Sequence, residues 1–167
     1  RSTLFPYTTL FRSRDLGTET NGGFRNINIS GIVIKPSSDQ REKFFGQWIG
    51  SSAISLEIVD GGALENVSLS DFTVEGTESP IFIRLGNRGR GYQWDAVDHV
   101  GSINGIRLDN IQIRNAGSMG CSITGLPGYP VRNVWLSDIS IHHKGGVKAD
   151  SLQAINDTIA NEKEKDY

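Results

Sequence analysis

The chain has 167 residues, with 17 Lys and Arg against 19 Asp and Glu and a formal net charge of −2. That length holds one domain with a real core, and the near-balanced charge lacks the basic face of a nucleic-acid binder, so no nucleic-acid partner is expected. No apolar run is long enough to span a bilayer, so no membrane partner is expected either, and one cysteine, Cys121, supplies neither an internal disulfide framework nor a paired-thiol metal site.

Residues 1–13, RSTLFPYTTLFRS, share no pattern with the remaining residues. They resemble the conceptual translation of a sequencing adaptor, and without a continuous apolar core or a cleavage pattern they do not read as a signal peptide. They are expected to lie outside the fold, and the rest reads as an internal piece of a longer protein. A first strand is predicted over Leu16–Thr20. The segment FRNINISGIVI begins at Phe24, and it returns as LENVSLSDFTV from Leu64, INGIRLDNIQI from Ile103 and VRNVWLSDISI from Val131. Three copies carry Asn, then Ile or Val, then a further apolar residue: Asn26-Ile27-x-Ile29, Asn66-Val67-x-Leu69 and Asn133-Val134-x-Leu136. The remaining copy has Gly105 in the Asn slot and continues Ile106-x-Leu108. Alternation with β-branched residues marks each copy as a strand. Each is predicted to bend midway, at Ser30-Gly31, Ser70-Asp71, Asp109-Asn110 and Ser137-Asp138. The repeated Asn side chains are expected to form a stack that satisfies turn backbone.

Other strands lie between the copies. Ala53–Val59 points Ile54, Leu56 and Ile58 inward and Ser55, Glu57 and Val59 outward; Ser79–Leu85 points Ile81, Ile83 and Leu85 inward and Phe82 and Arg84 outward. Gly120–Thr124 points Cys121 and Ile123 inward, with Cys121 read as a small buried apolar residue. Long loops from Pro36 and from Gly86 hold aromatics and charges that a plain connector does not need. After Gly146, Leu152, Ile155 and Ile159 share one helical face, with Asp150 or Ser151 as N-cap, which predicts a short C-terminal helix. At the Asn slot the copies are 40, 39 and 28 positions apart. A strand-sized unit that recurs in this way and cannot bury its apolar face alone predicts an all-β solenoid, a parallel β-helix of about four coils. The expected plan is 1–13 as a leader outside the fold, 14–149 as coils, and 150–167 as the helix and a truncated tail.

The segments LGTETNGGFRNINISG, AISLEIVDGGALENVSLSDFTVEG, SPIFIRLGNRGRG and SITGLPGYPVRNVWLSDISIHHKGG together resemble the bacterial branch of the polygalacturonase-type (family 28) glycoside hydrolases. The resemblance covers nearly everything from Leu16 onward. It implies a right-handed, single-stranded parallel β-helix of the pectin-lyase-like kind. It also implies inverting hydrolysis of pectic polysaccharides by aspartates on one face, in a secreted or periplasmic parent. Three of the family's motifs, Asn-Thr-Asp, Asp-Asp and Gly-His-Gly, would lie upstream of Leu16, so the catalytic aspartates are expected to be missing from this chain. The Arg-Ile-Lys position falls on Ser55-Leu56-Glu57, which is not a match.

Inverting hydrolysis needs two carboxyl groups about 6.5–9.5 Å apart across the bond. The candidates here are Glu19, Glu57 and Asp60, and Asp60 in Val-Asp-Gly-Gly equally suits a turn. Glu57 and Arg84 are expected on the outer face of adjacent coils, about 4.8 Å apart, either as a surface ion pair or as a sugar-binding pair, in one row with Thr18 and Thr124. A guanidinium fork suits a uronate carboxylate or sugar hydroxyls, and aromatic faces stack on sugars. The candidate binding set is therefore Arg84, Glu57, Asn87 and Arg88, with the loop aromatics Trp48, Tyr92 and Trp94. No cofactor is expected, and no metal: His142 and His143 lack a carboxylate at ligating spacing, and His99 in the second loop reads as plain surface. The chain reads as a monomer whose partner is a polysaccharide or oligosaccharide. Two other readings compete. One is a glycan-binding β-helix without catalysis, of the adhesin or tailspike kind. The other is a polysaccharide lyase, against which the acidic Glu57 counts.

Overall fold

The computed structural model describes residues 14–16, 20–35, 50–91, 97–117 and 120–145. They are all-β, with no helix among them. Seven strands form one sheet system: β1 (Arg14–Leu16), β2 (Phe24–Ile34), β3 (Gly50–Ile58), β4 (Ala63–Leu85), β5 (Ser102–Ala116), β6 (Ser122–Thr124) and β7 (Arg132–His143). Every ladder between them is parallel. Two stacks result. In one, β2, β4, β5 and β7 lie in that order, so the four copies of the repeat sit on one another with Ile27 opposite Val67, Val67 opposite Ile106 and Ile106 opposite Val134. In the other, β1, β3, the second half of β4 and β6 place Leu16, Leu56, Ile83 and Ile123 in one column. Strand β4 belongs to both, because it passes from one stack to the other within 23 residues. The arrangement is consistent with a β-helix-like fold.

A single backbone device makes these turns. Asn26, Asn66, Gly105 and Asn133 all have positive φ, at 56°, 56°, 76° and 52°. Five residues further on, Gly31, Asp71, Asn110 and Asp138 have it again, at 69°, 58°, 50° and 51°. A third set comes at Gly76 and Asn115. For most L-residues this left-handed conformation costs about 1–2 kcal/mol, and Gly, Asn and Asp are the residues that tolerate it. Each such residue bends the strand and resets its alternation. In β4 the buried apolar residues are Val67 and Leu69 before Asp71, then Phe72 and Val74 after it. The bends fall where the sequence places them, but β4 runs as one bent strand where two separate strands are predicted. The Asn side chains do stack, although their amides donate to side chains of the preceding rung and not to turn backbone. Asn66 donates to Asn26 at 3.2 Å, Asn110 to Asp71 at 2.8 Å and Asn133 to Asn104 at 2.7 Å. Gly105 interrupts the Asn column, and Asn104, one residue earlier, supplies the acceptor instead.

The inward residues of both stacks form one core cluster, in which Ile54, Leu56, Ile58, Leu64, Phe72, Ile83, Ile106 and Ile111 are at most 1% exposed. Burial is complete in the middle rungs and incomplete at the outer ones. Ile27 and Ile29 in β2 and Val134 in β7 are half-buried. Leu136 and Ile123, predicted inward, stand in the inward columns but are 49% and 42% exposed, since no described rung covers them. Cys121, just before β6, is exposed, contrary to the buried position predicted for it. The first strand covers Arg14–Leu16, two residues before the predicted start, with Leu16 opposite Leu56 in Cα register. Residues 1–13 and 150–167, including the predicted C-terminal helix, lie outside the described residues.

The left-handed requirement is separable from the side-chain ladder at Asn66. Asn66→Gly keeps the backbone conformation and loses only an exposed amide bond, so its chemical-denaturation midpoint should stay near wild type. Asn66→Ala should lose about 1–2 kcal/mol. Equal losses in the two variants would mean that the ladder, and not the backbone conformation, carries the position.

Candidate functional site

The outward residues of the second stack are set by register. Glu57 lies directly opposite Arg84, and Arg84 opposite Thr124. One step away, Ser55 lies opposite Phe82 and Phe82 opposite Ser122. The Cα register of β1 adds Asp15 opposite Ser55, an acidic position that the sequence pattern does not single out. The Ser55 hydroxyl donates to Glu57 Oε1 at 2.7 Å, which orients the carboxylate along its own strand. Glu57 is half-buried. Arg84 is 6% exposed, so the guanidinium predicted to stand open on the outer face is a buried one. A buried arginine is held by partners that satisfy its charge, and its direction is correspondingly defined.

Just beyond this row the chain turns a polar corner. Asp60, 1% exposed, receives Arg88 Nε on Oδ1 at 3.0 Å and Arg88 Nη2 on Oδ2 at 2.5 Å. The backbone amide of Arg90 also donates to Oδ1, at 2.9 Å. From the preceding rung, Asn21 donates to the Asp60 carbonyl at 2.8 Å, and the buried Thr20 hydroxyl accepts from the amides of Val59 and Asp60. The segment after β4 is laid down along this turn by Gly86 N to Ile58 O and Arg88 N to Val59 O, at 2.8 and 2.7 Å. The packing demands glycine at position 62, where a Cβ would lie 1.7 Å from the Thr20 carbonyl oxygen. Burial pushes the Asp60 carboxyl up, but the Arg88 hydrogen bonds, the Arg90 amide and the charges of both arginines outweigh it and hold the carboxyl below its ordinary value.

The candidate residues thus divide. Glu57 and Arg84 are brought together in one row. Asp60 and Arg88 are engaged with each other, with the Arg88 side chain only 12% exposed, and a carboxylate held ionised on both oxygens is poorly suited to act as an acid. Asn87 is exposed between the row and the corner. Glu19, Trp48, Tyr92, Trp94 and Thr18 lie outside the described residues. His99 sits 3.3 Å from Asp98, and His143 Nδ1 lies 2.8 Å from the Gly117 carbonyl. Among the described residues no group of three or more His, Cys, Asp or Glu could hold a metal ion together, and no helix is long and apolar enough to cross a membrane.

Two features lie beyond the residues that the sequence pattern marks. Glu78 is buried at 5% exposure and packs over Gly117, where a Cβ would lie 1.8 Å from its Oε2. Trp135 is 57% exposed on β7. Its signal is present in the repeat itself, since the slot between the two inward residues holds Asn28, Ser68, Arg107 and then Trp135. Comparisons with protein-family models, curated proteins and solved structures found no match for the chain.

The corner yields a pH prediction. The folded-state value of Asp60 lies below the ordinary 3.8, so the stabilisation from the pair is fully present well above pH 3.8 and is lost as pH falls through the folded value. Near neutrality Asp60→Asn should cost about 3–5 kcal/mol, because it leaves Arg88 without its buried counter-charge. In urea titrations the gap between variant and wild type should narrow as pH drops below 3.8. A gap that stays constant down to pH 2 would rule out a charged pair as its source.

Proposed function

We propose that the chain is part of a right-handed parallel β-helix of about four coils, from a hydrolase that cleaves glycosidic bonds in pectic or related polysaccharides with inversion. The observation that carries this reading is the in-register row Glu57–Arg84–Thr124 on parallel rungs. A row of that kind repeats at the rung spacing of about 4.8 Å and sets a half-buried carboxylate, a buried guanidinium and a half-buried hydroxyl in sequence beneath a polymer lying along the stack. The four repeats at matching register and the resemblance of the chain from Leu16 onward support it further. The catalytic aspartates belong to upstream coils of the parent, which is secreted or periplasmic and works as a monomer without a cofactor.

Within this row Arg84 binds a sugar carboxylate or hydroxyls and Glu57 positions it. A second reading, a glycan-binding β-helix without catalysis, is favoured by one observation: Asp60, the carboxylate nearest the row in sequence, has both oxygens engaged by Arg88.

In the intact parent, Arg84→Ala with folding verified by circular dichroism should weaken substrate binding by about 1.5–3 kcal/mol, the scale of a lost charged hydrogen bond. Unchanged affinity and turnover in a folded variant would reduce Arg84 to a structural charge. The 167-residue chain by itself should release little or no reducing sugar from pectin or polygalacturonate. Robust release would mean that its own carboxylates are catalytic.

A further inference from the structure

The outward slot of the four repeats forms a second row, on the other stack from Glu57 and Arg84. Asn28 lies opposite Ser68, Ser68 opposite Arg107 and Arg107 opposite Trp135. Trp135 is 57% exposed, and the Arg107 side chain is 62% exposed. Asp109, two residues along β5, approaches Arg107 with one oxygen at 4.0 Å and accepts the Ser137 hydroxyl on the other. A guanidinium has five donors in a planar fork, so one loose contact at 4.0 Å directs Arg107 without using it up. Arg107, Trp135 and Ser137 line a shallow depression at the surface together with Val134 and the half-exposed Leu136, so much of its lining is apolar.

An exposed indole gives an apolar face on which the C–H face of a pyranose can lie, with its N–H free to bond a hydroxyl. A neighbouring guanidinium fork recognises a carboxylate in its plane. Ser68 and Asn28 continue the row with small hydrogen-bonding groups. The rungs repeat at about 4.8 Å, close to the advance of one sugar along an extended polysaccharide, so a chain lying along the stack would meet one row residue per sugar. Single-stranded nucleic acid would also stack on an indole, so poly(dT) belongs among the probes.

We infer that the row Asn28–Ser68–Arg107–Trp135 is a second binding strip for acidic polysaccharide, separate from the Glu57–Arg84–Thr124 row, with Trp135 stacking on a sugar ring and Arg107 holding the carboxylate of a uronic acid. The inference rests on the carbohydrate reading above. It assigns to this strip the holding of polymer and not its cleavage.

The test is affinity electrophoresis of the full 167-residue chain through gels containing polygalacturonate, methyl-esterified pectin, hydroxyethylcellulose or poly(dT), with thermal melts to verify folding. Polygalacturonate should retard the wild type most. Trp135→Ala should weaken that retardation about fivefold, the scale of one lost stacking contact. Arg107→Gln should abolish the preference for polygalacturonate over the esterified polymer. Wild-type behaviour in both variants would overturn the inference. If Arg84→Ala alone then removed binding, the first row would stand and the second would fall. If Trp135→Ala and Arg107→Gln weaken binding while Arg84→Ala does not, the strip stands and the assignment of Arg84 falls. Retardation by poly(dT) and by none of the polysaccharides would overturn both.

Discussion

A parallel stack can continue only if each rung turns at the same place as the one beneath it. Here that constraint is met by a left-handed residue recurring at a spacing of five, at Asn66, Asp71 and Gly76 in one rung and at Gly105, Asn110 and Asn115 in the next. The residue types follow from the conformation. Glycine has no Cβ to clash, and Asn and Asp offset part of the strain with their short polar side chains. Because the bends coincide in successive rungs, the amides at these positions come within reach of one another, and the ladder from Asn66 to Asn26 or from Asn110 to Asp71 is a consequence of the bend as much as a cause of it.

The same registration distributes burial. Between two bends the inward residues repeat at period two, and each bend resets the phase so that Phe72 and Val74 join Val67 and Leu69 in one core. A middle rung has neighbours on both sides and buries these side chains almost completely. An outer rung has one neighbour, which leaves Leu136 and Ile123 half open although they occupy equivalent columns. The polar corner at Asp60 answers a different demand. There the chain leaves β3 through a tight turn, with Thr20 and Asn21 of one rung below and Arg88 to Arg90 of another above. A bidentate carboxylate–guanidinium pair ties the turn to the rung above, and bonds between its backbone and Thr20 and Asn21 tie it to the rung below. Such a buried pair contributes geometry more than net stability, and its geometry decides where the segment carrying Asn87 emerges beside the Glu57–Arg84 row.

Function, on this reading, is a matter of which residues occupy outward slots that the stacking has already aligned. One side of the molecule aligns a carboxylate, a buried guanidinium and a hydroxyl. The other aligns an exposed guanidinium and an exposed indole. Both suit an extended polymer lying along the stack better than a compact ligand, because the aligned groups form lines and not cups.

The repeat, its strand character, the positions of its midway bends and its intervals were all legible in the sequence, since each depends on residues adjacent in the chain: alternation of β-branched side chains, and Gly, Asp or Asn where φ must be positive. The register that sets Glu57 opposite Arg84 was legible for the same reason, as it follows once the repeats are aligned. The tertiary structure alone decided that Arg84 is buried, that Asp60 engages Arg88 with both oxygens, that Cys121, Ile123 and Leu136 are exposed, and that Trp135 stands open beside Arg107. These outcomes turn on which residues from other rungs, distant in the chain, come to lie above, below or across a given side chain. Local pattern determines the direction in which a side chain points, and only the stack determines whether anything meets it there.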